Sequence, residues 1–482
     1  MKYINKIVFT LLCLSVLTNG CRNFITVEPP ESLITQQNVF DDDITATGVL
    51  TGLYSKQAAF SSKVSLYTGL SADEFILRPN GDTRQFPYYT NNLQATASLK
   101  SGMEIWYDCY NYIFICNSAI EGLSSSTMVT PLVRQQLLGE AYFMRAFFYH
   151  LLVGLYGDVP LVTGTNPEVN RQLSRSLVAD VFTLIISDLL KAQDLLSEQF
   201  LNGSLKPYAG TAERTRPNKW AATALLARVY LYSGNFAGSE ASATQIINKN
   251  STFNLTSLNN VFRKNSAEAI WQIQPTGVGQ NTVDGRVFNL KAEPKGISFE
   301  KPVQTSSFLL EAFETGDLRA VPGNWLDSIA FNNGASIFWF PNKYKFGAYD
   351  INITSPSAMM EYTMVMRLGE QYLIRAEARA RLGDINGAKK DLDEIRNRAG
   401  LSKIAVTGQS EMLTAIFQER RVELFGEWTH RWFDMRRNGN IDAIMQIITE
   451  LKGGSWESKD QLYPIPYEDI LSNPKLVQNQ GY

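Results

Sequence analysis

The sequence predicts a mainly α-helical fold, in which tetratricopeptide-like helix pairs form a right-handed scaffold that carries an irregular, loop-rich half suited to binding a ligand. Two observations predict it. Apolar residues recur at helical spacing in several long segments, and two of these segments fold back on themselves at a Gly-Asn or Gly-Asp step. Residues 250–360, by contrast, lose the helical period and are rich in Pro, Gly, Asn and Ser. Long insertions on a rigid scaffold are where binding residues concentrate.

Taken in order, Lys2 and Lys6 precede an apolar run over residues 7–17, followed by small residues and then Cys21. The run is shorter than the ~18 residues that a spanning helix needs, so residues 1–20 read as a signal peptide. Cys21 behind Gly20 resembles a lipoprotein cleavage site, although Thr18 stands where Leu is usual and Leu17 lies one place further out. Cys21 is therefore the expected lipidation site. Residues 22–45 follow as an extended leader, because Glu28-Pro29-Pro30 excludes helix. Asp41-Asp42-Asp43 lacks the spaced ligands and the glycine of a calcium loop and reads as a helix start.

Thr130-Pro131 opens a helix whose Leu137, Ala141, Met144, Phe148, Leu151 and Leu155 share one face, with Tyr142, Phe143, Phe147 and Tyr149 on the others. A helix apolar on every side must be surrounded. Asn218 caps the next helix, its alanines permit close approach, and Gly234-Asn235 turns the chain into a second. The same hairpin recurs over 370–399 around Gly383-Asp384, with Ile385, Ala388, Leu392 and Ile395 as the buried stripe. Paired helices of this kind bury little alone and must stack. The expected array comprises 131–156, 218–249, 361–399 and 410–426 within one unit spanning 21–482.

Composition narrows the function. The formal net charge of −2 gives no long-range attraction to nucleic acid. Cys109 and Cys116 sit seven apart in a helical stretch, about 10.5 Å along the axis, too far for a disulfide. There are two histidines, His150 and His430, and no Gly-x-Ser-x-Gly elbow, phosphate loop or His-rich metal motif. Glu419, Glu423 and Glu427, four apart, are the nearest approach to a carboxylate pair for glycoside hydrolysis, but the interleaved arginines favour an ion-pair network. Sugar rings offer flat C–H faces that Trp and Tyr can cover while polar neighbours read the hydroxyls. Two stretches have that mixture, 84–92 and 324–340, and the candidate ligand contacts are Phe86, Tyr88, Tyr89, Asn91, Trp325 and Trp339. Trp106, Trp220 and Trp432 lie in helical motifs and are expected in the core.

Several motifs in order resemble the SusD/RagB family. They are Cys21-Arg22-Asn23-Phe24, the stretch from Arg145-Ala146 to Tyr156-Gly157-Asp158-Val159-Pro160-Leu161, and Lys219-Trp220-Ala221-Ala222 through Tyr230-Leu231-Tyr232-Ser233-Gly234. Glu419-Arg420-Arg421-Val422-Glu423-Leu424-Phe425-Gly426-Glu427 through Arg431-Trp432-Phe433-Asp434 follows, then Tyr463-Pro464-Ile465-Pro466 and the ending Gln478-Asn479-Gln480-Gly481-Tyr482. The resemblance implies a non-catalytic lipoprotein on the outer membrane that captures oligosaccharide and serves as a lid on a TonB-dependent transporter. Peptide capture by the same architecture and a secreted glycoside hydrolase are the alternatives. Some members bind calcium, but no residue here locates a site, and no other cofactor is implied. Display on the cell exterior tends to use acidic residues just after the lipidated cysteine, whereas here Arg22 and Asn23 follow and the nearest acid is Glu28.

Overall fold

The computed structural model describes residues 39–78, 83–96, 98 and 101–482. The signal segment and Cys21 lie outside the described residues. The chain opens with a 29-residue helix, α1 (Asp43–Ser71). The Asp42 carboxylate accepts hydrogen bonds from the N–H groups of Ile44 at 2.7 Å and Thr45 at 2.9 Å, so the Asp run is a helix cap, as the sequence indicates. Against α1 pack α2 (Glu104–Ser125) and α3 (Pro131–Tyr156), and α4 (Val178–Leu195) packs on α3. α3 is surrounded, with Phe143, Phe147, Phe148 and Tyr149 all buried. At its centre Arg145 pairs with both oxygens of Asp188 on α4 (2.7 and 2.9 Å) and donates to Asn117 on α2 at 2.9 Å. One guanidinium thus fixes three helices. Cys109 and Cys116 are buried in α2 and unpaired.

The helix hairpins follow: α5 (Lys219–Tyr232) with α6 (Phe236–Ile247), and α7 (Leu368–Arg381) with α8 (Ile385–Arg398). Gly234 and Gly383 take φ of +81° and +90°, which an L side chain rarely adopts. Asn235 and Asp384 then cap α6 and α8 by accepting from the N–H of Gly238 and of Gly387. α7 also packs on α6 and on α9 (Gln409–Glu423), so hairpins far apart in sequence stack through the buried Ala227, Leu231, Ala243, Ile374 and Ala378. α10 (His430–Arg437) and α11 (Ile441–Leu451) follow α9. No helix among the described residues is long and apolar enough to cross a membrane.

Among the described residues the strands form three antiparallel pairs: β1 (Phe75–Leu77) with β3 (Val303–Thr305), β2 (Ala269–Ile273) with β6 (Thr363–Arg367), and β4 (Leu326–Phe331) with β5 (Ser336–Pro341). β2 falls within 250–360, the stretch where the helical period is lost. β6 corrects the expected helical segment 361–399, whose first residues are strand. Met364-Val365-Met366 is apolar and buried on both faces, a pattern that periodicity alone cannot assign to helix or strand.

The three glutamates around 419–427 are interior and fully engaged. Glu423 is 0% exposed and accepts from Arg319 at 2.8 Å, Arg367 at 2.5 Å and Arg398. Glu427 accepts from Arg367 at 2.9 Å and Lys343 at 2.6 Å, and Glu419 pairs with Arg319 at 2.6 Å. Burial pushes the Glu423 pKa up, and Arg398, Arg367 and Arg319 more than offset that, holding it well below the usual carboxylate range.

Two stability predictions follow from these contacts. Arg367→Met leaves buried carboxylates uncompensated and is expected to cost about 3–5 kcal/mol in urea denaturation; a loss below about 1 kcal/mol would show that the network is not what joins these elements. The second concerns Asp284, which is buried and accepts from Ser61 and Thr363 at 3.2 Å each. Burial raises its pKa to about 6. A carboxyl raised in the folded state contributes stability that is complete below about pH 4 and is lost as pH rises through about 6. Asp284→Asn should therefore melt close to wild type at pH 4 and higher at pH 8, by the equivalent of about 3 kcal/mol. An unchanged difference at the two pH values would refute the assignment.

Candidate ligand-binding site

The site is built where α1 ends. Asp73, two residues beyond it, is buried and pairs with Arg431 (2.7 and 2.8 Å) and Arg421 (2.7 Å), which fixes the exit of the helix against α9 and α10. β1 follows at once and pairs with β3 in the register Phe75↔Thr305, Ile76↔Gln304, Leu77↔Val303. The N–H of Arg78 extends the ladder to the carbonyl of Pro302 at 2.8 Å. Alternation along this ribbon buries Phe75, Val303 and Thr305 and leaves Ile76, Arg78 and Gln304 on the partly exposed face.

The β4–β5 hairpin lies alongside. Its register puts Phe331 and Phe338 on one face, with ring centroids 5.4 Å apart. The Arg78 guanidinium sits over the Phe338 ring, 4.7 Å from its centroid. Arg78 Nε and Gln304 Oε1 are buried and have no hydrogen-bond partner among the described residues. Burial pulls the Arg78 pKa below its ordinary value but leaves it cationic at neutral pH. Half-buried Tyr89 adjoins it: burial raises the phenol pKa and the charge of Arg78 opposes the rise.

Tyr89 comes from a single helical turn, Phe86–Tyr89, and the loop behind it is anchored from two sides. Asn91, with φ of +52°, donates to the carbonyl of Ser71 at 2.9 Å and accepts from Thr449 of α11 at 2.9 Å. Lys452 lies half-buried beneath, donating to the carbonyls of Leu70 (2.7 Å), Ser71 (3.3 Å) and Ala72 at the end of α1, with its ammonium 5.4 Å from the centre of the Tyr89 ring. It satisfies the open end of the helix. Beside the loop is a cleft of about 660 Å³, bordered by Phe86, Thr90, Asn92, Gln94, Ser455, Glu457 and Tyr482. Gly454 is required there, because a Cβ would lie 2.0 Å from the Thr90 carbonyl oxygen.

The structure sorts the sequence-based candidates. Phe86 is 58% exposed at the cleft and Tyr89 adjoins Arg78. Asn91 borders the cleft, but both ends of its amide are committed to the scaffold. Tyr88 and Trp325 are corrections, since both are 0% exposed. Tyr88 stacks on Tyr67 at 4.3 Å and donates to Glu104 at 2.6 Å. Trp325 donates to the Leu258 carbonyl at 2.9 Å, and its ring faces Lys343, Arg367 and Arg398, the cations of the buried network. Trp339 is half-buried on the hairpin face opposite Phe338 and packs toward the Trp325 cluster. Trp106, Trp220 and Trp432 are buried as expected.

Arg78 and Gln304 did not stand out in the sequence, and Phe338 lies in the aromatic stretch 324–340 but is not among the six candidates. The signal for Arg78 and Gln304 would have been the short alternations around them, but strands of three residues are too brief for a period to register. The alternation of 326–331 and 336–341 about Asn332-Asn333-Gly334 would have exposed the hairpin and its paired phenylalanines.

The arrangement can cover an apolar ring face and hydrogen-bond hydroxyls around it. Both histidines are buried and favour the neutral form: burial and Arg228 lower His150 to about 3, and burial with Arg228 and Arg420 holds His430 well below its ordinary value. No group of three or more His, Cys, Asp or Glu among the described residues could hold a metal ion.

Comparison with known proteins agrees with this architecture. The model of the SusD family matches residues 326–482, and one described as starch-binding associating with outer membrane matches 24–231. SusD-like protein P25 of Formosa agariphila is 24% identical over the full length of both chains. The starch-binding protein SusD of Bacteroides thetaiotaomicron is 29% identical over 163 residues, 32% of this chain and 27% of that one. A solved SusD superfamily protein from Parabacteroides distasonis shares the fold at a TM-score of 0.72 and 22% identity, covering 93% of this chain and 100% of that one. A laminarin-binding SusD-like protein does so at 0.69 and 22%, covering 91% and 99%. With models of one family matched at both ends, a relative aligned throughout and that fold shared over about nine-tenths of its length, the chain belongs to the SusD/RagB family.

Proposed function

We propose that the chain captures an oligosaccharide without altering it, at the surface formed by Arg78, Tyr89, Gln304 and Phe338 and extended by Phe86 along the neighbouring cleft. The observation that carries this reading is the Arg78 guanidinium lying over the Phe338 ring on a partly exposed face, with half-buried Tyr89 near enough to feel its charge. Relatives named for starch and for laminarin make a neutral glucan the first ligand class to test. A hydrolytic role for Glu419, Glu423 and Glu427 is disfavoured by their burial and their arginine and lysine partners. The protein works at the outer membrane, held by a lipid on Cys21, and hands its ligand to a TonB-dependent transporter. This last step rests on the family and on the physical need of a tethered binder for a separate channel.

Binding is tested by calorimetry with laminari- and malto-oligosaccharides. Arg78→Ala, Tyr89→Ala and Phe338→Ala should each weaken binding by about 2 kcal/mol at nearly unchanged melting temperature. Three variants that bind like wild type would place the site elsewhere. The anchor is tested by fractionation: Cys21→Ala should move the protein from the membrane to the soluble fraction, and retention after a high-salt wash would exclude a lipid on Cys21 as the anchor.

A further inference from the structure

A second, smaller cavity of about 240 Å³ lies against the N-terminal half of α1, between that helix, the loop after residue 200 and the end of β2. Tyr54 and Tyr208 supply aromatic rings, and Arg216, Glu213, Asn202 and Gln274 supply polar groups. We propose that this cavity is a second carbohydrate site that takes a single sugar unit of a neutral glycan. The inference rests on the glycan-binding reading only for the class of ligand.

The polar groups are held in place before any ligand arrives. Arg216 donates to Glu140 at 2.5 Å and to Thr51 at 2.9 Å, and Tyr54 donates to the same Glu140 oxygen at 2.7 Å. Glu140 also accepts from Gln136 at 2.9 Å. The guanidinium lies over the Tyr54 ring, 5.7 Å from its centroid. Ring and arginine are therefore fixed against each other by one buried carboxylate, the preorganisation that a binding site needs. Two amides are left free to read hydroxyls. The Gln274 side chain makes no hydrogen bond among the described residues. Asn202 accepts from the N–H of Ser204 and of Lys206 but donates from its amide to none of them.

Charge and volume select the ligand. The positive charge of Arg216 is matched by Glu140, and the negative charge of Glu213 by Lys264 at 3.0 Å, so neither an anion nor a cation is favoured. The cavity is smaller than the ~300–1,000 Å³ of sites for drug-sized ligands, which suits one sugar ring and excludes a folded oligomer. From Tyr54 to Ser71 the helix rises about 25 Å, and Arg78 lies beyond its end, so the two sites are separate. Two grips on one rigid helix would hold an extended glycan more tightly than either alone.

The probes are maltose and laminaribiose, too short to bridge the sites, titrated by native mass spectrometry into the wild-type chain, Arg78→Ala, Tyr208→Ala and the double variant. Wild type is expected to take up two disaccharides and each single variant one. The double variant should bind about tenfold or more weakly, with melting temperatures of all four alike. An Arg78→Ala variant that binds nothing while wild type binds one disaccharide would overturn the second site and leave the first standing. Binding in Arg78→Ala that Tyr208→Ala abolishes supports the second site whatever becomes of the first. A wild-type chain that takes up neither probe overturns both.

Discussion

The contact on which the rest of the molecule depends is the ion network centred on Arg367. This side chain leaves the end of β6 and reaches Glu268, Glu423 and Glu427. Glu268 precedes β2, Glu423 ends α9 and Glu427 lies in the turn toward α10, so one guanidinium joins the small sheet, the stacked hairpins and the C-terminal segment. Arg319 and Lys343 bring in the two sides of the β4–β5 hairpin. Such a cluster gains little over a well-packed apolar core, but a single missing partner leaves a charge stranded in low dielectric. Its arrangement is therefore specific, and so is the placement of everything attached to it.

The network also explains why carboxylates that look catalytic in one dimension are structural in three. Acids spaced four apart invite an acid/base reading, but α9 stops at Glu423, and Gly426 and Trp428 take φ of +65° and +50° and carry Glu427 back to the same cations. The stretch 419–427 closes a core. The groups proposed to meet a ligand lie around it, positioned by the network but not consumed by it.

α1 gives the proposed binding surface its geometry. Its C-terminal carbonyls are satisfied by Lys452 and Asn91, so the loop bearing Phe86 and Tyr89 and the segment from α11 to the chain end are fastened to one rigid point. β1 leaves the same point and delivers Arg78. A loop so anchored presents its rings at little entropic cost, which favours capture of a flexible glycan.

Much of this was legible in the sequence. The helix spacing gave α3 to its last residue, the Gly-Asn and Gly-Asp turns gave both hairpins, the Asp run gave the cap of α1, and ordered motifs identified the family. These are local or periodic features, fixed by neighbours within a few residues. The ring inventory of 84–92 and 324–340 was equally visible, but not which rings were free. Tyr88 and Tyr89 are adjacent and alike, yet one stacks on Tyr67 in the core and the other is half-buried within the field of Arg78. Trp325 and Phe338 share a loop-rich stretch, yet one lies against buried cations and the other under an arginine at the partly exposed face. Exposure at these positions is set by contacts with residues tens to hundreds of places away, through strands too short to show a period. The sequence by itself thus determined the helical scaffold and its lineage, and only the tertiary structure decided which aromatic and charged groups are left to meet a ligand, because burial is a property of the assembled packing and not of the local chain.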